Sequence, residues 1–73
     1  MPAGHRPQYL EVRIRGRERP ERIAVPDAVE PREELKRFLD RLGPYAQMWI
    51  RLDSDEYVRY ELIESVSVAA GGD

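Results

Sequence analysis

Asp53, Asp55 and Glu56 form the one local cluster of carboxylates in the chain, and an Asp-x-Asp-Glu string has the oxygen ligands that hard cations such as Ca²⁺ or Mg²⁺ take. A calcium loop needs further oxygen ligands, a glycine at its sharp turn and a distal glutamate, whereas here a strand pattern begins at once. The segment reads instead as a solvated hairpin turn, because Asp and Ser side chains hydrogen-bond nearby backbone. His5 is the single histidine, and it sits in a loose arm where nothing can orient it as a general base. There is no cysteine, no serine has a histidine at hand, and neither Gly16 nor the Gly71-Gly72 pair builds a phosphate loop. This inventory points away from an enzyme: no catalytic residue, cofactor, metal or small-molecule substrate is expected.

Two other groupings carry binding chemistry. Arg13, Arg15, Arg17, Arg19 and Arg22 crowd one predicted hairpin, where guanidinium groups can engage phosphate bidentately and a β-ribbon can follow a nucleic-acid backbone. Glu11, Glu18 and Glu21 interleave with them, however, and the pI is near 5.4, unlike the basic footprint of most nucleic-acid binders. The second grouping is aromatic. Tyr9, Trp49 and Tyr57 fall on the polar side of their strands together with Arg51 and Arg59, and such residues recur at the centres of protein interfaces. A tryptophan left exposed on so small a protein keeps much apolar surface wet.

The elements that hold these residues follow from periodicity. From Tyr9 to Arg15 the pattern alternates, with Leu10, Val12 and Ile14 inward. Gly16 to Pro20 breaks it and Arg22 to Val25 resumes it, which predicts a hairpin with Ile14 opposite Ile23, Val12 opposite Val25 and a loop from Arg17 to Pro20. That register also sets Arg15 against Arg22, a like-charge pair. A helix is predicted over 31–42 on the spacing of Leu35, Phe38, Leu39 and Leu42. It starts at Glu30 or Pro31, with Glu30, Glu33 and Glu34 at its positive end and Arg37 and Arg41 at its negative end. Gly43 and Pro44 are the predicted stop.

Strands are then predicted over 47–52 and 56–62, with Met48, Ile50 and Leu52 facing inward from the first and Val58, Tyr60 and Leu62 from the second. Pairing Ile50 with Val58 and Met48 with Tyr60 avoids Arg51 facing Arg59. It sets Trp49 against Arg59 and Arg51 against Tyr57, and leaves Asp53, Ser54 and Asp55 as a three-residue loop. Leu62 and Ile63 cannot both face inward from one regular strand, so a bulge or short turn is expected near Glu64 before a last strand with Val66 and Val68.

The expected fold class is α+β: a small antiparallel sheet of four to five strands, in the order β-β-α-β-β with a short fifth strand, and one amphipathic helix packed on one face. The alternative is an SH3-like small barrel with an inserted helix, favoured if the last strand curls across to the first. Seventy-three residues allow a single domain, 8–68, between a flexible arm at 1–7 and a flexible tail at 69–73. With 41% hydrophobic and 36% charged residues at a net charge of -2, the composition is that of a globular domain, and no run approaches the roughly 20 apolar residues of a membrane span. Without cysteine or a signal-peptide pattern, a cytoplasmic setting is expected. Charge is unevenly spread, at +3 over residues 1–22 and -5 over 53–73, which could orient the molecule toward a partner or a second copy. The functional expectation is a small non-enzymatic protein-interaction module or homodimer that uses Tyr9, Trp49, Arg51, Tyr57 and Arg59. The alternative is nucleic-acid binding through the arginine hairpin.

Overall fold

The computed structural model describes residues 8–69, so the predicted arm at 1–7, with His5, and the tail from residue 70 lie outside the described residues. Five strands, one α-helix and two 3-10 turns follow one another: β1 (Gln8–Ile14), β2 (Glu21–Val25), α1 (Pro31–Leu39), a 3-10 turn (Gly43–Ala46), β3 (Trp49–Arg51), β4 (Tyr57–Arg59), a second 3-10 turn (Tyr60–Leu62) and β5 (Ile63–Val68). The strands do not form one continuous sheet. They make an antiparallel three-stranded sheet in the order β2-β1-β5 and a separate β3-β4 hairpin. The two meet where the Asp53 amide donates to the Arg22 carbonyl at 2.7 Å. Leu10, Val12, Ile14, Ile23, Val25, Phe38, Tyr45, Ile50, Leu52 and Val58 form a single core. No helix among the described residues is long and apolar enough to cross a membrane.

The β1-β2 register differs from the expectation. Leu10, not Ile14, faces Ile23, and Gln8, not Val12, faces Val25. The shift of four residues preserves which side chains face inward, since facing alternates with a period of two. It also replaces the Arg15/Arg22 clash with Glu11 opposite Arg22, an attractive cross-strand pair. On the far side of β1, Ile14 pairs with Ile63. The chain leaves β1 through a turn closed by the Arg17 amide on the Ile14 carbonyl at 3.0 Å, and Gly16 supplies the positive φ (84°) that turn needs. The expected irregularity near Glu64 takes two forms: the 3-10 turn at Tyr60–Leu62 and a register shift in the β1-β5 ladder at Arg13/Ile14.

Helix α1 begins as its composition suggests, with Glu30 at the N-cap, Pro31 in the first turn, and Glu33 and Glu34 near the positive dipole end. Its end comes three residues before the expected one. Asp40 caps it, the Arg41 amide donates to the Phe38 carbonyl (3.2 Å) and the Leu42 amide to the Arg37 carbonyl (3.0 Å). This is the Schellman pattern, with Arg41 rather than a glycine in the left-handed position at φ 58°. Leu39 and Leu42 consequently lie exposed, and the inward face of the helix is Glu34, Leu35 and Phe38.

What holds Arg41 in that conformation is its side chain. The guanidinium stacks 3.7 Å over the Tyr60 ring, while Nε donates to the Tyr45 carbonyl (2.5 Å) and a terminal nitrogen to the Gln47 carbonyl (3.0 Å). Arg41→Ala removes these contacts and keeps the left-handed cost, so it is expected to destabilise the fold by about 2 kcal/mol. Arg41→Gly removes the same contacts but relieves a backbone penalty of roughly 1 kcal/mol. Urea midpoints should therefore rank wild type above Arg41→Gly above Arg41→Ala.

Candidate functional site

The outer face of the β3-β4 hairpin carries the aromatic and guanidinium groups. Its register is Trp49 opposite Arg59, Ile50 opposite Val58 and Arg51 opposite Tyr57. Ile50 and Val58 enter the core, so strand alternation turns the four neighbours outward. The Leu52 amide closes the loop on the Glu56 carbonyl at 2.7 Å, and Asp55 takes the left-handed conformation (φ 71°) common at the third position of three-residue hairpin loops. Leu52, at the foot of the turn, is buried and anchors the hairpin. Met48, expected inward, is 56% exposed: its carbonyl accepts the Tyr60 amide at 2.8 Å, but its side chain lies at the open end of the hairpin beyond the core.

Trp49 is 50% exposed and Tyr57 57% exposed. The Arg59 guanidinium lies 5.9 Å from the Trp49 ring centre, within cation–π range. Arg59 Nε is itself shielded from solvent without an aligned acceptor, although Glu61 Oε2 stands 3.2 Å away. Arg51 ties back to Asp55, with Nε 3.1 Å from Oδ1, and this bond holds the guanidinium above its already high ordinary pKa. A wet tryptophan and tyrosine between two cations make a surface able to stack on apolar groups and to bond carboxylates at its rim.

Tyr9 is placed elsewhere. It stands on β1, opposite Ala24 in the three-stranded sheet, half-buried beneath the Arg22 guanidinium at 5.2 Å. The arginine hairpin is largely paired. Arg15 reaches Glu64 (3.4 Å), and Arg17 binds Glu56 through both terminal nitrogens, one at 3.0 Å, and Glu21 at 3.3 Å. The Arg17 hydrogen bond draws the Glu56 carboxylate below its usual range. Arg13 and Arg19 have no carboxylate partner within 4.0 Å among the described residues. The acidic turn is thus divided between two arginines, Asp55 to Arg51 and Glu56 to Arg17, and among the described residues no group of three or more acids or histidines could hold a metal ion.

Two features had no counterpart in the sequence reading. A shallow depression of about 220 Å³ lies between β2 and the hairpin, lined by Ile23, Ala24, Arg51, Leu52 and Asp53. Its signal was absent because it arises where the two sheets separate. The second is the buried pair Glu34 and Tyr45, in which the Tyr45 hydroxyl donates to the Glu34 carboxylate. Glu34 stands in the first turn of α1, where the helix dipole alone accounts for an acidic residue, so its burial leaves no mark in the sequence. No family model matches the chain, and neither the curated proteins nor the solved structures hold a significant match to it.

Proposed function

We propose that the chain is a non-enzymatic protein-interaction module whose binding surface is the outer face of the β3-β4 hairpin, centred on Trp49 and Tyr57 and flanked by Arg51 and Arg59. The observation that carries this reading is the half-exposed Trp49 in register with Arg59, beside an equally exposed Tyr57. Tyr9 plays no part in it. An SH3-like small barrel with an inserted helix is the frame we favour. Its support is β5 lying along β1, the 3-10 turn leading into β5, and the Asp53 amide that joins the hairpin to β2. The competing reading, nucleic-acid binding through Arg13, Arg15, Arg17, Arg19 and Arg22, has less support, because three of the five are engaged by Glu64, by Glu21 and Glu56, and by the Tyr9 ring.

Trp49 is the only tryptophan, so its fluorescence reports on this face alone. A protein partner retained by the wild type should lose at least about 30-fold in affinity toward Trp49→Ala, the scale of an interface hot spot. The same partner should shift Trp49 emission to the blue and shield it from acrylamide. Equal binding to a Trp49→Ala variant with an unchanged urea midpoint would end the proposal.

A further inference from the structure

The β5 strand is an edge: β1 lies on one side of it, and no strand of the described residues lies on the other. The Ala69 amide donates to the Tyr9 carbonyl at 3.0 Å. Because ladder bonds in an antiparallel pair alternate, residues 65, 67 and 69 turn their backbone groups toward β1, and the amides and carbonyls of Val66 and Val68 point away from it. The side chains of these two valines share the inward face with their cross-strand neighbours Val12 and Leu10. Yet Val12 and Leu10 are fully buried, while Val66 is half-buried and Val68 is 37% exposed. Core-facing valines are therefore uncovered on the side where another strand would lie.

Native edges are commonly blunted by lysine, proline, inward-pointing charge or a bulge; the bulge here falls at Glu64 and leaves Ser65 to Val68 regular. β5 has no lysine and no proline. Its one charge, Glu64, sits at the irregular end of the strand and is held by Arg15.

We propose that β5 pairs antiparallel with β5 of a second copy of this chain, across a two-fold axis at Ser67. This register sets Val66 of each copy against Val68 of the other, matching outward donors to outward acceptors in about four new hydrogen bonds. On the exposed outer face it brings together the two Ser67 side chains at the axis, while Ser65 of each copy lies opposite Ala69, which is buried just past the strand's end. The two Glu64 carboxylates fall roughly 20 Å apart along the pair, well beyond the screening length of about 8 Å at physiological salt. A foreign strand could use the same backbone groups, but only the self-pairing sets Val66 and Val68, the outward-bonding residues, against each other on the same face. The product is one continuous sheet, β2-β1-β5-β5-β1-β2, and the interface is separate from the Trp49 face.

Sedimentation equilibrium and amide exchange of the full chain test this. The weight-average mass should climb from 8.5 kDa toward twice that value as concentration rises. Over the same series the Val66 and Val68 amides should become protected, while those of Ser65 and Ser67, already bonded to β1, stay constant. Ser67→Lys and Ser67→Glu each place like charges across the axis on an exposed position, so each should remain at monomer mass. Opposite Glu11 on β1, the lysine should raise the urea midpoint slightly and the glutamate lower it slightly, so a shared loss of the dimer is not a shared loss of folding. Mixed together, they should recover the dimer. Trp49→Ala should dimerise like the wild type. A chain that stays monomeric at millimolar concentration overturns the proposal, as does a dimer indifferent to both Ser67 variants. A dimer lost in Trp49→Ala but kept in the Ser67 variants also overturns it, and transfers self-association to the hairpin face.

Discussion

Phe38→Ala is expected to cost about 3–5 kcal/mol, the range for deleting a buried phenylalanine from a packed core. For a chain of this length the entire folding stability is roughly 4–11 kcal/mol, so the loss removes a large part of it. The reason lies in how α1 is attached. Phe38 is its only fully buried apolar residue, because the Schellman turn leaves Leu39 outside and Leu35 only partly covered. Its ring packs against Tyr45 (centres 5.1 Å apart, tilted 55°) and Tyr60 (5.2 Å, 31°), which belong to the two 3-10 turns flanking the hairpin. One side chain therefore joins the helix to both ends of the β3-β4 unit. The urea midpoint should fall steeply and the near-UV circular dichroism of the tyrosines should collapse. A loss under about 1 kcal/mol would show that the helix is not docked through this ring.

Tyr45→Phe tests a smaller but more specific contact. Glu34 is 5% exposed, and its carboxylate accepts the Tyr45 hydroxyl and has Arg37 Nε at 3.6 Å. Deleting the hydroxyl strips a buried acceptor of its buried donor, which costs about 1–3 kcal/mol. The variant should also change the pH profile. Burial first, and then the hydrogen bond to Glu34 and its charge, push the Tyr45 hydroxyl well above the ordinary tyrosine value of 10.0, against a weaker opposing pull from Arg37. The folded state thus holds a proton that the unfolded chain releases near pH 10. The stabilisation is complete below that pH and is lost as pH rises from about 10 toward the folded value. Urea midpoints measured at pH 8, 10 and 11 should decline more steeply for wild type than for Tyr45→Phe. Parallel declines would remove Tyr45 as the source of the alkaline sensitivity.

These two residues show why part of the fold was legible in the sequence and part was not. The β3-β4 register came out correctly because two local constraints agreed: the parity of Ile50 with Val58, and the avoidance of Arg51 against Arg59. In the first hairpin the same parity rule allowed registers four residues apart. The adopted register is the one that sets Glu11 rather than Arg15 opposite Arg22, so charge pairing separates two alignments that parity leaves equal. The helix end was misplaced because glycine is the usual left-handed residue, and Arg41 takes that role only through a ring and two carbonyls supplied by later segments. Trp49, Arg51, Tyr57 and Arg59 gathered as alternation implied, whereas Tyr9 had the right facing on the wrong sheet. Alternation assigns a side to each residue within its own strand, but it carries no information on which strands share a sheet.

The position of β1 between β2 and β5 has a kinetic consequence. Its ladder with β2 closes over a short connection, but its ladder with β5 joins Leu10 to Val68 and Glu11 to Ser67, contacts that span most of the chain. The entropy of closing so long a loop is lost before any of those pairings can stabilise the product, so the search is governed by non-local contacts rather than by the single helix. Refolding is then expected on the slower, β-dominated scale of milliseconds to seconds, with the β1-β5 ladder as the step that commits the chain.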